Sequence, residues 1–173
     1  MHNNTKKLVT TAVIIALTAV FQNLRLVIGT GIVSTYVIST LVNLCLITAA
    51  MQVGLVSGIL VAVIAPLVAL LQGFAQAVMV PWIILGNGVL VVLFALIAKK
   101  AQSRVSYFTV GAVAAVLKFA VIALGMTLMV TGKAAFWPGL TVAVERQIQQ
   151  LITAAIACVL ALPVLAALDR AKV

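Results

Sequence analysis

Acidic residues are almost absent from this chain: 173 residues contain two, Glu145 and Asp169. Histidine occurs once, at His2, and cysteine twice, at Cys45 and Cys158, both within apolar runs. Without paired carboxylates, or a histidine beside a nucleophile, general acid–base and triad chemistry have no residues to work with. No CxxC pair and no Cys/His spacing of a metal site occurs, so the two thiols read as small packing groups. A G-x-x-x-x-G-K-[ST] phosphate loop is missing too, because Gly132-Lys133 lacks the earlier glycine and runs into Ala134. The chain alone is expected to be neither an enzyme nor an ATPase, with no metal and no cofactor.

What is abundant is hydrocarbon. Hydrophobic residues make up 65% of the sequence and charged ones 8%, and the mean hydropathy is +1.34. A soluble domain of this length cannot hide so much apolar surface, so lipid must be the main solvent. The formal charge of +9 would point to nucleic acid in a soluble protein. Here the basic residues sit mostly in short connections, where they orient a membrane protein, and no nucleic-acid partner is expected.

A membrane span needs about 20 apolar residues. Six stretches fit, over about 8–27, 33–51, 54–71, 81–98, 107–130 and 142–166, and predict one all-α domain, a compact six-helix membrane bundle over residues 1–173. The link at Met51, Gln52 and Val53 is the tightest. Lys6 and Lys7 precede an apolar stretch too long for a signal-peptide core, so the first span is expected to be retained. An even number of spans puts both termini on one side. That side carries Lys6, Lys7, Lys99, Lys100, Arg104, Arg170 and Lys172, against Arg25 and Lys133 on the other, with Arg146 just inside a helix. The asymmetry predicts cytoplasmic termini and outward connections near 25–33, 72–81 and 131–141.

Two stripes of small residues offer close helix approach, which drives association in lipid. One is Ala12 and Ala16 in the first span; the other is Gly54, Gly58 and Ala62 in the third. Either can serve packing within the bundle or a dedicated partner. Pro66 and Pro163 are expected to bend their helices.

Polar groups at membrane depth are functional candidates by default. Lys118 lies about 16 Å along its helix from Tyr107, too deep for comfortable snorkelling. It either lines a cavity or bonds carbonyls or Asn87. Asn87, between Gly86 and Gly88, either meets a ligand or bonds another helix. Trp82, Trp137 and Tyr36 stand at span ends, where an interfacial aromatic belt competes with a role in binding. The sixth helix is expected to start near Thr141, after Pro138 and Gly139. Within it, Arg146, Gln149, Gln150 and Thr153 fall at i, i+3, i+4 and i+7, one polar stripe. Glu145 flanks that stripe and either contacts the ligand or only orients Arg146. A capped helix end accounts for Glu145 near the positive dipole but not for two glutamines beyond it, which favours a polar interior.

Six short spans with both ends inside, no ATPase, Ala12-x-x-x-Ala16, and the opening TKKLVTTAVIIALTAVFQ of residues 5–22 together resemble the S components of energy-coupling factor transporters. The likeness covers the whole chain. It implies a subunit of a prokaryotic plasma membrane that captures a vitamin outside and docks on a transmembrane coupling subunit bearing two ABC ATPases. The whole subunit then topples to release its cargo inward. Ala12 and Ala16 would be the docking residues. The pocket residues of that family vary with substrate, so the expected binding set comes from the helix faces: Arg25, Tyr36, Trp82, Asn87, Lys118, Glu145, Arg146, Gln149 and Gln150. Its net positive charge suits a carboxylate or phosphate, and the scarcity of aromatics, 6%, disfavours flat stacked vitamins. Pantothenate is the leading expectation and cobalamin the next, followed by folate and hydroxymethylpyrimidine. The alternative is a membrane scaffold or assembly factor whose polar stripe bonds a partner helix.

Overall fold

The computed structural model describes residues 2–101, 103–131 and 136–171, and contains helices and turns with no strand among them. The charge tally above includes Lys133 and Lys172, which lie outside the described residues. In chain order the helices are α1 (His2–Asn23), the single turn α2 (Arg25–Ile28), α3 (Ile32–Thr48), α4 (Leu55–Leu71), α5 (Val80–Leu96), α6 (Arg104–Thr131) and α7 (Phe136–Arg170). Large apolar side chains such as Leu8, Val13, Val20, Val56, Leu71, Leu85, Val105 and Val159 point outward, as expected where lipid replaces water. The chain is an all-helical, multi-pass membrane protein.

Five segments are long and apolar enough to cross a bilayer: Asn4–Ile28, Ile32–Val53, Ala77–Lys100, Arg104–Met129 and Gly139–Arg170. The third expected span is α4, whose 17 residues cover about 25 Å against a hydrocarbon core of about 30 Å. Its shortness has a local cause. α3 continues as a π turn, Ala49–Val53, and Gly54 at φ 133° starts α4 directly after it. That backbone conformation favours glycine, so the uncharged link is a reversal with no loop at all.

The last helix departs from expectation at its start. α7 is already helical at Phe136, so Thr141 is an interior residue and no N-cap. Pro138 and Gly139 fall in its first turns, where the N–H that proline lacks would have no intrahelical partner. At 35 residues, about 52 Å, α7 outruns the hydrocarbon core.

Glycines set the helix spacings. A Cβ on Gly58 would lie 2.5 Å from Val91 Cγ1, so α4 closes tightly on α5. With Ala62 also buried, Gly58 and Ala62 of the third-span stripe serve packing inside the bundle, whereas Gly54 has open space beside it and serves the turn. A Cβ on Gly111 would meet Cys158 Sγ at 3.2 Å, where α6 packs on α7. Beside it the Tyr107 hydroxyl donates to the Cys158 carbonyl at 3.2 Å and the Tyr107 ring meets Phe94 edge-on at 5.6 Å. Both cysteines are buried free thiols, as their apolar settings indicated.

α1 docks on α3 and α4 through its buried residues Thr11, Ile14, Thr18 and Gln22, which recur at helical spacing. Thr11 Oγ1 donates to Ser57 Oγ at 2.7 Å, and Gln22 Nε2 to the Ala65 carbonyl at 2.8 Å. Ala12 and Ala16 lie on the exposed side of α1, with Val9, Val13 and Val20. The chain's own packing uses neither alanine. At the other end of α3, Gln52 Nε2 donates to Asp169 Oδ1 at 2.9 Å, and Lys6, Lys7, Gln52 and Leu168 border one apolar groove. The two ends of the chain thus share one end of the bundle.

Candidate ligand cavity

At the opposite end of the bundle the helices splay around a cavity of about 660 Å³. α1 and α2 contribute Gln22 and Arg25, α3 contributes Thr35, Ser39 and Asn43, and Gln72 follows directly on α4. The α4–α5 connection adds Phe74, Gln76 and Met79; α5 adds Ile83 and Asn87; α6 adds Lys118, Met126 and Met129; and α7 adds Arg146, Gln147, Gln149 and Gln150. Three basic side chains line it, and no acidic one does among the described residues.

Six of the nine residues expected to bind are in this lining: Arg25, Asn87, Lys118, Arg146, Gln149 and Gln150. The other three, Glu145, Trp82 and Tyr36, are not. Trp82 turns against α6, where Gly125 leaves it room; a Cβ there would fall 2.2 Å from the indole. Trp137 is 75% exposed, as suits an interfacial tryptophan. Tyr36 is partly buried on α3 between the lining residues Thr35 and Ile38. Glu145 is exposed and forms no ion pair with Arg146 among the described residues. One residue is about 100° of helix, enough to take Glu145 off the face that carries Arg146, Gln149 and Gln150 inward.

The floor is a chain of oriented bonds. Lys118, 2% exposed, donates through Nζ to Asn43 Oδ1. Asn43 Nδ2 donates to Thr153 Oγ1 at 3.2 Å, and the Thr153 hydroxyl donates to the Gln149 carbonyl at 2.8 Å. Only an oxygen can face an ammonium, so the asparagine amide has one permitted orientation. The bonds tie α6, α3 and α7 together at membrane depth. The Lys118 partner is thus Asn43, on a different helix from Asn87. Asn87, 3% exposed, makes no side-chain hydrogen bond among the described residues and faces the cavity. It stands at the level of Lys118 because Gly86 lets α5 approach: a Cβ on Gly86 would lie 3.2 Å from the Lys118 carbonyl.

The rim is built differently. The Arg25 guanidinium sits 5.0 Å from the Phe74 ring centroid, a cation–π contact. Gln72 Nε2 donates to Asn23 Oδ1 at 3.0 Å. Three atoms around it, Gln22 Oε1, Arg25 Nε and Gln72 Oε1, are buried with no partner, which is costly in a finished core. Arg146 is exposed at the mouth, Gln149 and Gln150 are partly buried, and Gln147 Nε2 reaches Met126 Sδ at 3.2 Å.

Asn43, Gln22, Gln72 and Phe74 were not anticipated. Asn43 was detectable as an amide in mid-span, the same signal that marks Asn87. Comparison with protein-family models, with curated proteins and with solved structures found no match to this chain.

Proposed function

We propose that this chain is the substrate-capturing S component of an energy-coupling factor importer in a prokaryotic plasma membrane. In this reading α4 completes a set of six spans, both termini are cytoplasmic, and the cavity opens outward. A transmembrane coupling subunit carries two ABC ATPases, and the exposed Ala12–Ala16 face of α1 docks on it. The reading rests chiefly on the cavity lining, which gathers Arg25, Lys118 and Arg146 with no acidic residue among them. A cavity of that sign attracts and holds a small anion.

The size of the cavity narrows the cargo. At roughly 30 Å³ per water, 660 Å³ holds about twenty water-sized groups. An acid the size of pantothenate suits a cavity of this size better than the far bulkier corrin ring and nucleotide tail of cobalamin, so pantothenate leads and cobalamin follows. A scaffold would pair its buried polar groups with one another or with a partner helix. Here Asn87 instead faces a cavity open at its mouth.

Removing both charges tests the reading. The double variant Arg146→Ala with Lys118→Ala is expected to lose anionic vitamin binding by at least about 100-fold, since truncating charged hydrogen-bond partners in a desolvated site costs about 2–5 kcal/mol. Isothermal titration of the purified variant, with its helicity verified by circular dichroism, measures this. Unchanged affinity would remove the cavity from the account.

A further inference from the structure

We infer that the cavity floor is a carboxylate subsite, in which Lys118 and Asn87 hold the acid group of a small organic monoanion and Asn43 and Thr153 position the lysine. This rests on the capture reading and specifies its cargo.

The three cations of the cavity are not equivalent. Arg146 is exposed and water screens its charge. Arg25 is satisfied in part by the Phe74 face. Lys118 alone is withdrawn from solvent, at 2% exposure, and among the described residues it meets no carboxylate. The chain has none to spare: Asp169 is bonded to Gln52 at the far end of the bundle and Glu145 is exposed off the cavity. An ammonium buried without a counter-charge is costly, and a bound carboxylate offsets that cost.

Geometry says where the carboxylate goes. An ammonium has three N–H donors. One is committed to Asn43 Oδ1, and Asn43 is fixed in turn through Thr153 to the Gln149 carbonyl. The remaining donors are left for the cavity that Lys118 lines. Asn87, buried and without a side-chain hydrogen bond among the described residues, adds an amide donor from α5 on the same floor. A carboxylate there accepts from two helices while Asn43 keeps the lysine from swinging away. The ligand enters acid first, its body lies against Ile38, Ile83 and Met126, and its neutral polar end stays at the rim. One buried cation calls for one negative charge, so a monoanion matches the site better than a phosphate or a dicarboxylate.

The test compares acids with their uncharged counterparts on the intact protein: pantothenate with pantothenol, nicotinate with nicotinamide and biotin with biotinamide, with thiamine as a cation. The native chain is expected to bind at least one acid about 100-fold or more tightly than its neutral partner, the discrimination available to a site built around a polar group. Lys118→Met should remove the acid's advantage, bringing acid and neutral compound to within about threefold of each other. Asn43→Asp should do the same by a gentler route, because its carboxylate pairs with Lys118 from within and Thr153 can turn its hydroxyl to donate to it. That variant keeps the test decisive if Lys118→Met does not fold. Equal binding of acid and neutral compound by the native chain, or binding of thiamine alone, would overturn the subsite and leave vitamin capture standing. An acid preference that survives Asn43→Asp would also overturn it, and would place the anion at the rim. Binding of no compound in the panel would overturn the capture reading and the subsite together.

Discussion

If the chain docks as proposed, Ala12→Trp and Ala16→Trp, made singly, are expected to abolish co-purification with the proposed coupling subunit and ATPases while leaving affinity for the proposed vitamin unchanged. The two alanines are exposed on α1, on the side away from the Thr11, Ile14, Thr18 and Gln22 face that packs on α3 and α4. An indole there displaces nothing within the bundle, so thermal unfolding of the isolated chain should not move by more than a degree or two. Against a partner helix the outcome reverses. Helices in lipid associate by close van der Waals contact between small residues, and a tryptophan holds the backbones several ångströms apart. Loss of assembly by on the order of 100-fold follows, read as the yield of coupling subunit retained by the tagged chain in detergent. Retention at the native level in both variants would remove the docking face from the account.

The second large effect is expected at Gly86. A Cβ there would fall 2.8 Å from Ile122 Cγ1 and 3.2 Å from the Lys118 carbonyl. Ile122 is fully buried and must shift its branch as well as its tip, and the carbonyl belongs to α6 and moves only with its helix. Gly86→Leu therefore forces α5 and α6 apart at the cavity floor. Overpacking of this kind costs about 1–3 kcal/mol or more, and it also lifts Asn87 away from the level of Lys118. The variant should lose both thermal stability and ligand binding. Gly88 provides the control: its nearest neighbour, Ile59 Cδ1, lies 4.0 Å from the Cβ position. Gly88→Ala should be neutral or stabilising, because alanine is the better helix former by about 1 kcal/mol. Comparable losses in Gly88→Ala and Gly86→Leu would mean that helix spacing does not control the floor.

Much of this was legible in the sequence for one physical reason: in a chain whose solvent is lipid, a charge or amide at mid-span is an anomaly. Lys118, Asn87, Arg146, Gln149 and Gln150 stood out in this way, and all five line the cavity. Asn43 carried the same signal but lacked the flanking glycines that single out Asn87. Gln22 and Gln72 sit at helix ends, where polar residues are ordinary, so only the fold brings them to one rim. Trp82 had an environment that no periodicity reveals, since the space it fills is made by Gly125 on a different helix. The start of α7 was misplaced because Pro138 and Gly139 read as a break, although a proline costs nothing in a first turn. The α3–α4 boundary was obscured because its π turn keeps the residues before Gly54 helical.

The central claim is that the cavity holds a small organic acid. The most direct measurement is mass spectrometry of the small molecules released from the native chain, purified gently from cells grown with vitamins supplied. The account predicts about one equivalent of a monocarboxylate of vitamin size, absent from Lys118→Met prepared in parallel. Recovery of a neutral or cationic compound in its place, or of the same acid in equal amount from both proteins, would contradict it.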